Sequence, residues 1–149
     1  MTDWFPGEAA AVGQARKFVC GVLGADWPGL PDVLLMVSEI ATNAVRYAES
    51  GDGGWFDLTV SVRGRTLRIA VAERGGPAAP RIPCEGGDPG VLTSGRGLRL
   101  VDDLADAWGC AGDTMGRVLW FEISWQARWV TASPCGILPG HMTSWVAGQ

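Results

Sequence analysis

Two polar side chains, Glu39 and Asn43, lie four residues apart in a stretch with the pattern of an amphipathic helix. At about 100° per residue, the apolar side chains of Leu30–Glu49 fall on one face, and the polar pair falls on its flank beside Arg46. A carboxylate and an amide at this position can point into a cleft and contact a ligand there. The same pattern is expected if both are ordinary polar residues on a half-exposed helix. The predicted apolar face consists of Val33, Met36, Val37, Ile40, Ala44, Tyr47 and Ala48.

A third candidate is Glu73, at the end of a stretch in which Leu67, Ile69 and Val71 alternate with other residues. Alternation predicts a half-buried strand and places Glu73 on the same side as the apolar residues. Burial of an unpaired charge is costly, so an inward carboxylate needs a hydrogen-bond donor, supplied by the protein or by a ligand. The alternative is a twist at the strand end that turns Glu73 outward.

Glycines before a predicted helix form the last candidate. Gly95-Arg96-Gly97-Leu98 follows a stretch, Arg74–Ser94, that contains many glycines and prolines and has no periodicity. A stretch of this length inside a compact domain is usually a functional loop or a disordered one. Free N–H groups at the start of a helix attract anions such as phosphate, but a GxG before a helix is by itself a weak signal.

The elements that must position these groups are helices and hairpins. Helices are predicted at Gly7–Leu23 and Leu30–Glu49, and a third starts at Leu98. Hairpin strands with helices gathered on one face predict an α+β fold, a two-layer α/β sandwich with a mostly antiparallel sheet. We expect one domain over residues 1–125 and a C-terminal tail of uncertain order over 126–149. The predicted strands are Phe56–Val62, Leu67–Val71, Ala107–Ala111 and Val118–Trp125.

Composition restricts the classes of function. The chain has 149 residues, 47% of them hydrophobic, and a net charge of −4, so charge does not draw it to nucleic acid or an anionic membrane. Because no apolar run could span a bilayer and no signal-peptide pattern occurs, we expect a cytoplasmic protein. Lys17 is the only lysine, His141 is the only histidine, and GxxxxGK(S/T) does not occur, which excludes a Walker-type site. The 4 widely spaced cysteines predict reduced, mostly buried thiols.

Together and in this order, the motifs resemble the GHKL ATPase superfamily, to which gyrase and the histidine kinases belong. The resemblance is strongest to its small bacterial branch of anti-sigma-factor serine kinases, the RsbW and SpoIIAB type. Glu39-x-x-x-Asn43 is similar to the family's N box, and Glu73-Arg74-Gly75-Gly76 to its first glycine box. Ser94-Gly95-Arg96-Gly97-Leu98 is similar to the second glycine box, and Gly116-Arg117-Val118 to the run that opens the last strand. The resemblance covers roughly Phe5 to Trp125.

This resemblance implies a Bergerat-type ATP site and a role for each motif residue. Asn43 would coordinate Mg²⁺ beside the ATP phosphates, Glu39 would act as the catalytic base, and Glu73 would accept a hydrogen bond from the adenine amino group. Phosphoryl transfer depends mostly on positioning and charge neutralisation, so this set needs neither a histidine nor a P-loop lysine. Arg74–Ser94 would be the ATP lid. The other implied ATP-binding residues are Arg46, Gly75, Gly95, Arg96, Gly97 and Leu98.

The adenine end of this site departs from the family pattern. The first glycine box is usually Asp-x-Gly-x-Gly, whereas here Glu73 replaces the aspartate and Pro77 follows Gly76. One hypothesis is therefore an ATP- and Mg²⁺-dependent serine/threonine kinase whose partner is a sigma factor or an anti-anti-sigma-like protein, with homodimers as one form of assembly. The other is a degenerate nucleotide-binding regulatory module that acts by protein–protein interaction. A detached histidine-kinase ATPase domain and a protein with no nucleotide site are further alternatives.

Overall fold

The computed structural model describes residues 1–48, 54–73, 97–113 and 116–125. Within these residues, five strands form one sheet, and three helices accompany it. The elements are β1 (Thr2–Pro6), α1 (Ala9–Leu23), α2 (Leu30–Ala48), β2 (Trp55–Arg63), β3 (Thr66–Glu73), α3 (Gly97–Leu104), β4 (Ala107–Asp113) and β5 (Gly116–Ser124).

The sheet has the order β1-β2-β3-β5-β4, and every neighbouring pair is antiparallel. This arrangement confirms the predicted α+β fold and the four predicted strands. β1 was not predicted, because Thr2–Pro6 buries only Phe5 and ends in a proline. A proline is tolerated on an edge strand, where its missing N–H costs no ladder hydrogen bond.

Helix α2 is the central element of the helical layer, since it contacts α1, α3 and the strands β2 and β3. It follows Gly29, whose φ of 73° favours glycine, and it has Asp32 in its first turn, where the helix dipole favours a carboxylate. The predicted apolar face is confirmed from Val33 to Ala44, and the structure adds three buried residues, Leu30, Ala41 and Val45. The side chains of residues 47 and 48 lie outside the described part of the chain. Among the described helices, none has the length and apolar character needed to cross a membrane.

Aromatic side chains pack within the sheet and between the sheet and the helical layer. Phe5 is buried and stacks on Phe56, with 5.4 Å between ring centroids, so β1 contributes to the core despite its exposed edge. Trp27, between α1 and α2, meets the ring of Trp125 edge to face at 4.9 Å. Trp4 is 58% exposed. Aromatic pairs of this kind contribute roughly 0.5–1.5 kcal/mol beyond the area they bury.

Candidate functional site

The inner face of β3 ends in a charged residue. Leu67, Ile69 and Val71 are buried along this face, and Glu73, the next inward position, is 7% exposed. The prediction that alternation carries Glu73 inward is confirmed, and the alternative of an outward twist is wrong. A carboxylate at this depth needs hydrogen-bond donors, because desolvation of an unpaired charge is costly.

Arg117, the second residue of the neighbouring strand β5, supplies these donors. The two residues face each other directly in the register of β3 and β5. Nε of Arg117 donates to Oε1 of Glu73 at 2.7 Å, and an NH2 group of the same guanidinium also donates to Oε1. The side chains of Arg117 and Glu73 are 11% and 6% exposed, respectively. The two residues therefore form a buried ion pair across the strands.

The second oxygen of Glu73 is placed differently. Oε2 is buried, and it has no hydrogen-bond partner among the residues that the structure describes. Burial raises the pKa of Glu73 above 4.5, and the charge and hydrogen bonds of Arg117 only partly offset this effect. Glu73 thus keeps one buried acceptor that the ion pair does not use.

This ion pair lies in the wall of a cleft between the helical layer and the sheet. Helix α2 contributes Asn43, and helix α3 contributes Leu98. The cleft encloses about 30 Å³, which is room for on the order of one or two waters, so a larger ligand enters only when lining side chains move. The remaining lining is mostly apolar and consists of Ile40, Ala44, Val71, Cys110, Val118 and Leu119, in addition to Glu73 and Arg117.

The structure brings together only part of the predicted site. Asn43, Glu73 and Leu98 line the cleft. Glu39 is half-buried on α2 but lies outside the cleft lining, and Arg46 is exposed in the last turn of that helix. Gly97 is the first residue of α3. Three further predicted residues, Gly75, Gly95 and Arg96, lie outside the described residues, as does the predicted lid.

Arg117 is the residue that the sequence-based site prediction did not include. Its signal was present, because Leu119, Phe121 and Ile123 alternate inward along β5 and the same period carries Arg117 inward. An arginine on the apolar side of a strand requires an acceptor for the same reason that Glu73 requires a donor. The period of β5 therefore predicts that Arg117 lies inward, but it does not identify its partner.

The two cysteines that the structure describes differ in their bonding. Cys20, in α1, is a free thiol. Cys110, in the cleft wall, is part of a disulfide bond, so the prediction of reduced thiols is wrong at this position. Spacing along the sequence does not reveal which cysteines approach within bonding distance in the fold. In the described ranges, no group of three or more histidine, cysteine, aspartate or glutamate side chains could hold a metal ion.

Comparison with known proteins identifies the fold that holds this cleft. Residues 5–123 match the model of the histidine kinase-like ATPase domain family. The chain belongs to this family. This membership places the domain in the GHKL superfamily and supports ATP binding and a regulatory role. A search of curated proteins gave no match.

Solved structures with the same fold include a blue-light activated histidine kinase of Erythrobacter litoralis EL346. Its histidine kinase domain is 21% identical with a TM-score of 0.53, and the match covers 82% of this chain and 63% of that one. A structure of the same kinase is 23% identical with a TM-score of 0.53, and the match covers 80% of this chain and 42% of that one. At these identities the likeness is one of fold, and the chain spans less than two-thirds of each of these two structures.

Proposed function

We propose that this domain binds ATP in the cleft beside the Glu73–Arg117 pair and acts as a regulatory protein. The observation that carries the proposal is the spare acceptor of Glu73. Oε2 is buried, has no hydrogen-bond partner among the described residues and belongs to a side chain in the wall of a mostly apolar cleft. An apolar slot with one buried acceptor suits a flat base that carries an amino donor, and adenine is such a base.

Asn43 supports the placement of the phosphates. It lies in the same cleft wall as Glu73, on the helix that forms the middle of the helical layer. An amide oxygen is a suitable ligand for Mg²⁺, which usually keeps some waters and takes the remaining oxygens from the nucleotide. In this proposal, Asn43 would hold the ion, and Gly95, Arg96 and Gly97, the last of which begins α3, would contribute N–H groups and charge to the phosphates.

The reaction proposed for this site is transfer of the γ-phosphate to a serine or threonine of a partner protein, as in the anti-sigma-factor kinases that the motifs resemble. Glu39 is the proposed base, the partner is an anti-anti-sigma-like protein, and a sigma factor is the proposed regulated target. Positioning and charge neutralisation by the metal would supply most of the rate acceleration.

A second candidate function is regulation by binding alone. The observation that favours it is the position of Glu39, which is half-buried and outside the lining of the cleft. A base must come within hydrogen-bond reach of the proton that it removes, directly or through one water. If Glu39 does not reach the acceptor hydroxyl in the complex, the domain binds nucleotide and partner without transferring phosphate.

Calorimetric titration with ATP, with and without Mg²⁺, tests the shared part of both candidates. We expect the wild type to bind, and Asn43→Ala to lose most of the gain in affinity that Mg²⁺ provides. Thr42→Ala is a matched control, because Thr42 is the exposed neighbour whose hydroxyl donates to the backbone of its own helix at 2.7 Å. Absence of binding at millimolar ATP would contradict the proposal.

Phosphate transfer from labelled ATP to a co-encoded partner separates the two candidates. Under the kinase proposal, Glu39→Ala abolishes transfer and leaves ATP affinity unchanged. Binding without transfer by the wild type supports the second candidate, and transfer that survives in Glu39→Ala rules out Glu39 as the base.

A further inference from the structure

The Glu73–Arg117 pair has an asymmetry that bears on which base the cleft accepts. The two hydrogen bonds that Arg117 donates to Glu73 both go to Oε1, while Oε2 has no partner among the described residues. A carboxylate accepts hydrogen bonds at both oxygens, whereas a protonated carboxyl group also donates. Oε2 is therefore purely a hydrogen-bond acceptor only when Glu73 is ionised.

Burial and Arg117 have opposite effects on this ionisation. Burial in the cleft raises the pKa of Glu73, and the nearby guanidinium lowers it through charge and hydrogen bonding. Among the described residues of the cleft wall, the other elements bring no second charge: α2 contributes the neutral amide of Asn43, α3 contributes Leu98, and Cys110 of β4 is disulfide-bonded. Strand β2, the other neighbour of β3, places the uncharged residue Phe56 directly across from Glu73. Arg117 is therefore the group that favours the charged form.

We propose that Arg117 is a positioning residue that sets the base specificity of the cleft. By binding Oε1 with two donors, it keeps Glu73 ionised and holds Oε2 as a pure acceptor for a base that presents an amino group. A base without this amino group leaves Oε2 buried without a donor and binds more weakly. This inference rests on the proposed nucleotide binding and adds to it a residue outside the motifs that suggested it.

A purely structural role for Arg117 predicts a different result. If the ion pair only joined β3 to β5, its removal would weaken the binding of all nucleotides equally through loss of stability. The inference predicts a change in the ratio of affinities for two nucleotides that differ only at the amino position. ATP and purine riboside triphosphate are such a pair, because a hydrogen in purine riboside replaces the amino group of adenosine.

The experiment is calorimetric titration of the wild type, Arg117→Met, Arg117→Lys and Arg68→Met with both nucleotides at pH 7.5. We expect the wild type to prefer ATP by about tenfold or more, the scale of a lost hydrogen bond to a charged group. Arg117→Met should reduce this preference to about threefold or less, and Arg117→Lys, which keeps the charge, should retain most of it. Arg68→Met should match the wild type, because Arg68 pairs with Glu122 on the outer face of the same two strands.

The outcomes separate the inference from the proposed function. If the wild type binds neither nucleotide, the proposed function fails and the inference with it. If the wild type binds but does not discriminate, or if folded Arg117→Met discriminates as well as the wild type, only the inference fails.

A pH series with the wild type alone provides a test that does not depend on a folded Arg117→Met. Lowering the pH protonates Glu73, so the preference for ATP should decline as the pH falls through the pKa of this group. The triphosphates of the two nucleotides titrate alike, so their ratio of affinities isolates the base. A preference that stays constant until the protein unfolds would overturn the inference.

Discussion

The two faces of the sheet carry ion pairs that join the same two strands. On the outer face, Arg68 of β3 binds Glu122 of β5 at 2.8 Å, and on the inner face Glu73 of β3 binds Arg117 of β5. In both pairs the residues are direct cross-strand neighbours. The outer side chains are 40% and 33% exposed, whereas the inner ones are 11% and 6% exposed. Strand alternation therefore places the same chemical pair in water on one face and in a cleft on the other.

Solvent determines what each pair contributes. In water, two charges gain little by pairing, and exposed pairs typically contribute about 0.2–1 kcal/mol. Arg68 has an additional contact, since its guanidinium carbon lies 3.9 Å from the ring centroid of Trp120. In the cleft, loss of one partner leaves a desolvated charge, so the inner pair is sensitive to single substitutions. A ligand in the cleft can also donate a hydrogen bond to the charged carboxylate of Glu73.

The largest expected effect is on the inner pair. Arg117→Met should lower the free energy of unfolding at neutral pH by about 3–5 kcal/mol, because the carboxylate of Glu73 loses both of its known donors while remaining buried. Urea unfolding followed by circular dichroism measures the change. A loss below about 1 kcal/mol would show that water or another group reaches Glu73, and the contrast between the two faces would not hold.

A smaller effect is expected from the pH dependence of the inner pair. Since the pKa of folded Glu73 lies above 4.5, the folded state binds more protons than the unfolded state between 4.5 and this raised pKa. The contribution of Glu73 to stability therefore falls as the pH rises through this window, and it is greatest below it. Relative to Glu73→Gln, which cannot titrate, the wild type should gain stability as the pH is lowered toward 4.5.

Urea unfolding of both proteins at a series of pH values measures this difference. A relative loss of wild-type stability on acidification would mean that Arg117 outweighs burial and that the pKa of Glu73 is lowered.

The smallest effect is expected on the outer face. Arg68→Met should lower the free energy of unfolding by about 1 kcal/mol or less, from the loss of the Glu122 pair and the contact with Trp120. The part that comes from the ion pair should shrink further at 1 M salt, where charges on the surface are screened. A cost equal to that of Arg117→Met in the same urea assay would remove the distinction between the faces.

The sequence predicted the elements better than their assembly. Alternation in β3 correctly placed Glu73 inward, and the period of α2 correctly identified the buried face that includes Ile40 and Ala44. The pairing of Glu73 with Arg117 could not be read from periodicity, because the two residues are far apart in the chain and β5 inserts between β3 and β4. Registers between distant strands depend on tertiary packing, which local patterns do not encode.

The polar flank of α2 shows a second limit of prediction from local sequence patterns. Glu39 and Asn43 are neighbours by helical spacing, yet a separation of four residues still rotates them by about 40° around the axis. Asn43 lines the cleft together with Ile40 and Ala44, whereas Glu39, which is rotated further from the apolar face, lies outside the lining. Helical spacing correctly predicted a polar flank but not which of its two residues faces the cleft.

The central claim is that ATP binds on the inner face of the sheet, beside the buried pair. Titration of ¹⁵N-labelled protein with ATP and Mg²⁺, followed by amide NMR, tests this most directly. The account predicts that the largest shift changes among the described residues occur at Asn43, Glu73 and Leu98, with little change at Arg68 and Glu122 on the outer face. Changes centred on the outer pair, or no changes at millimolar ATP, would contradict it.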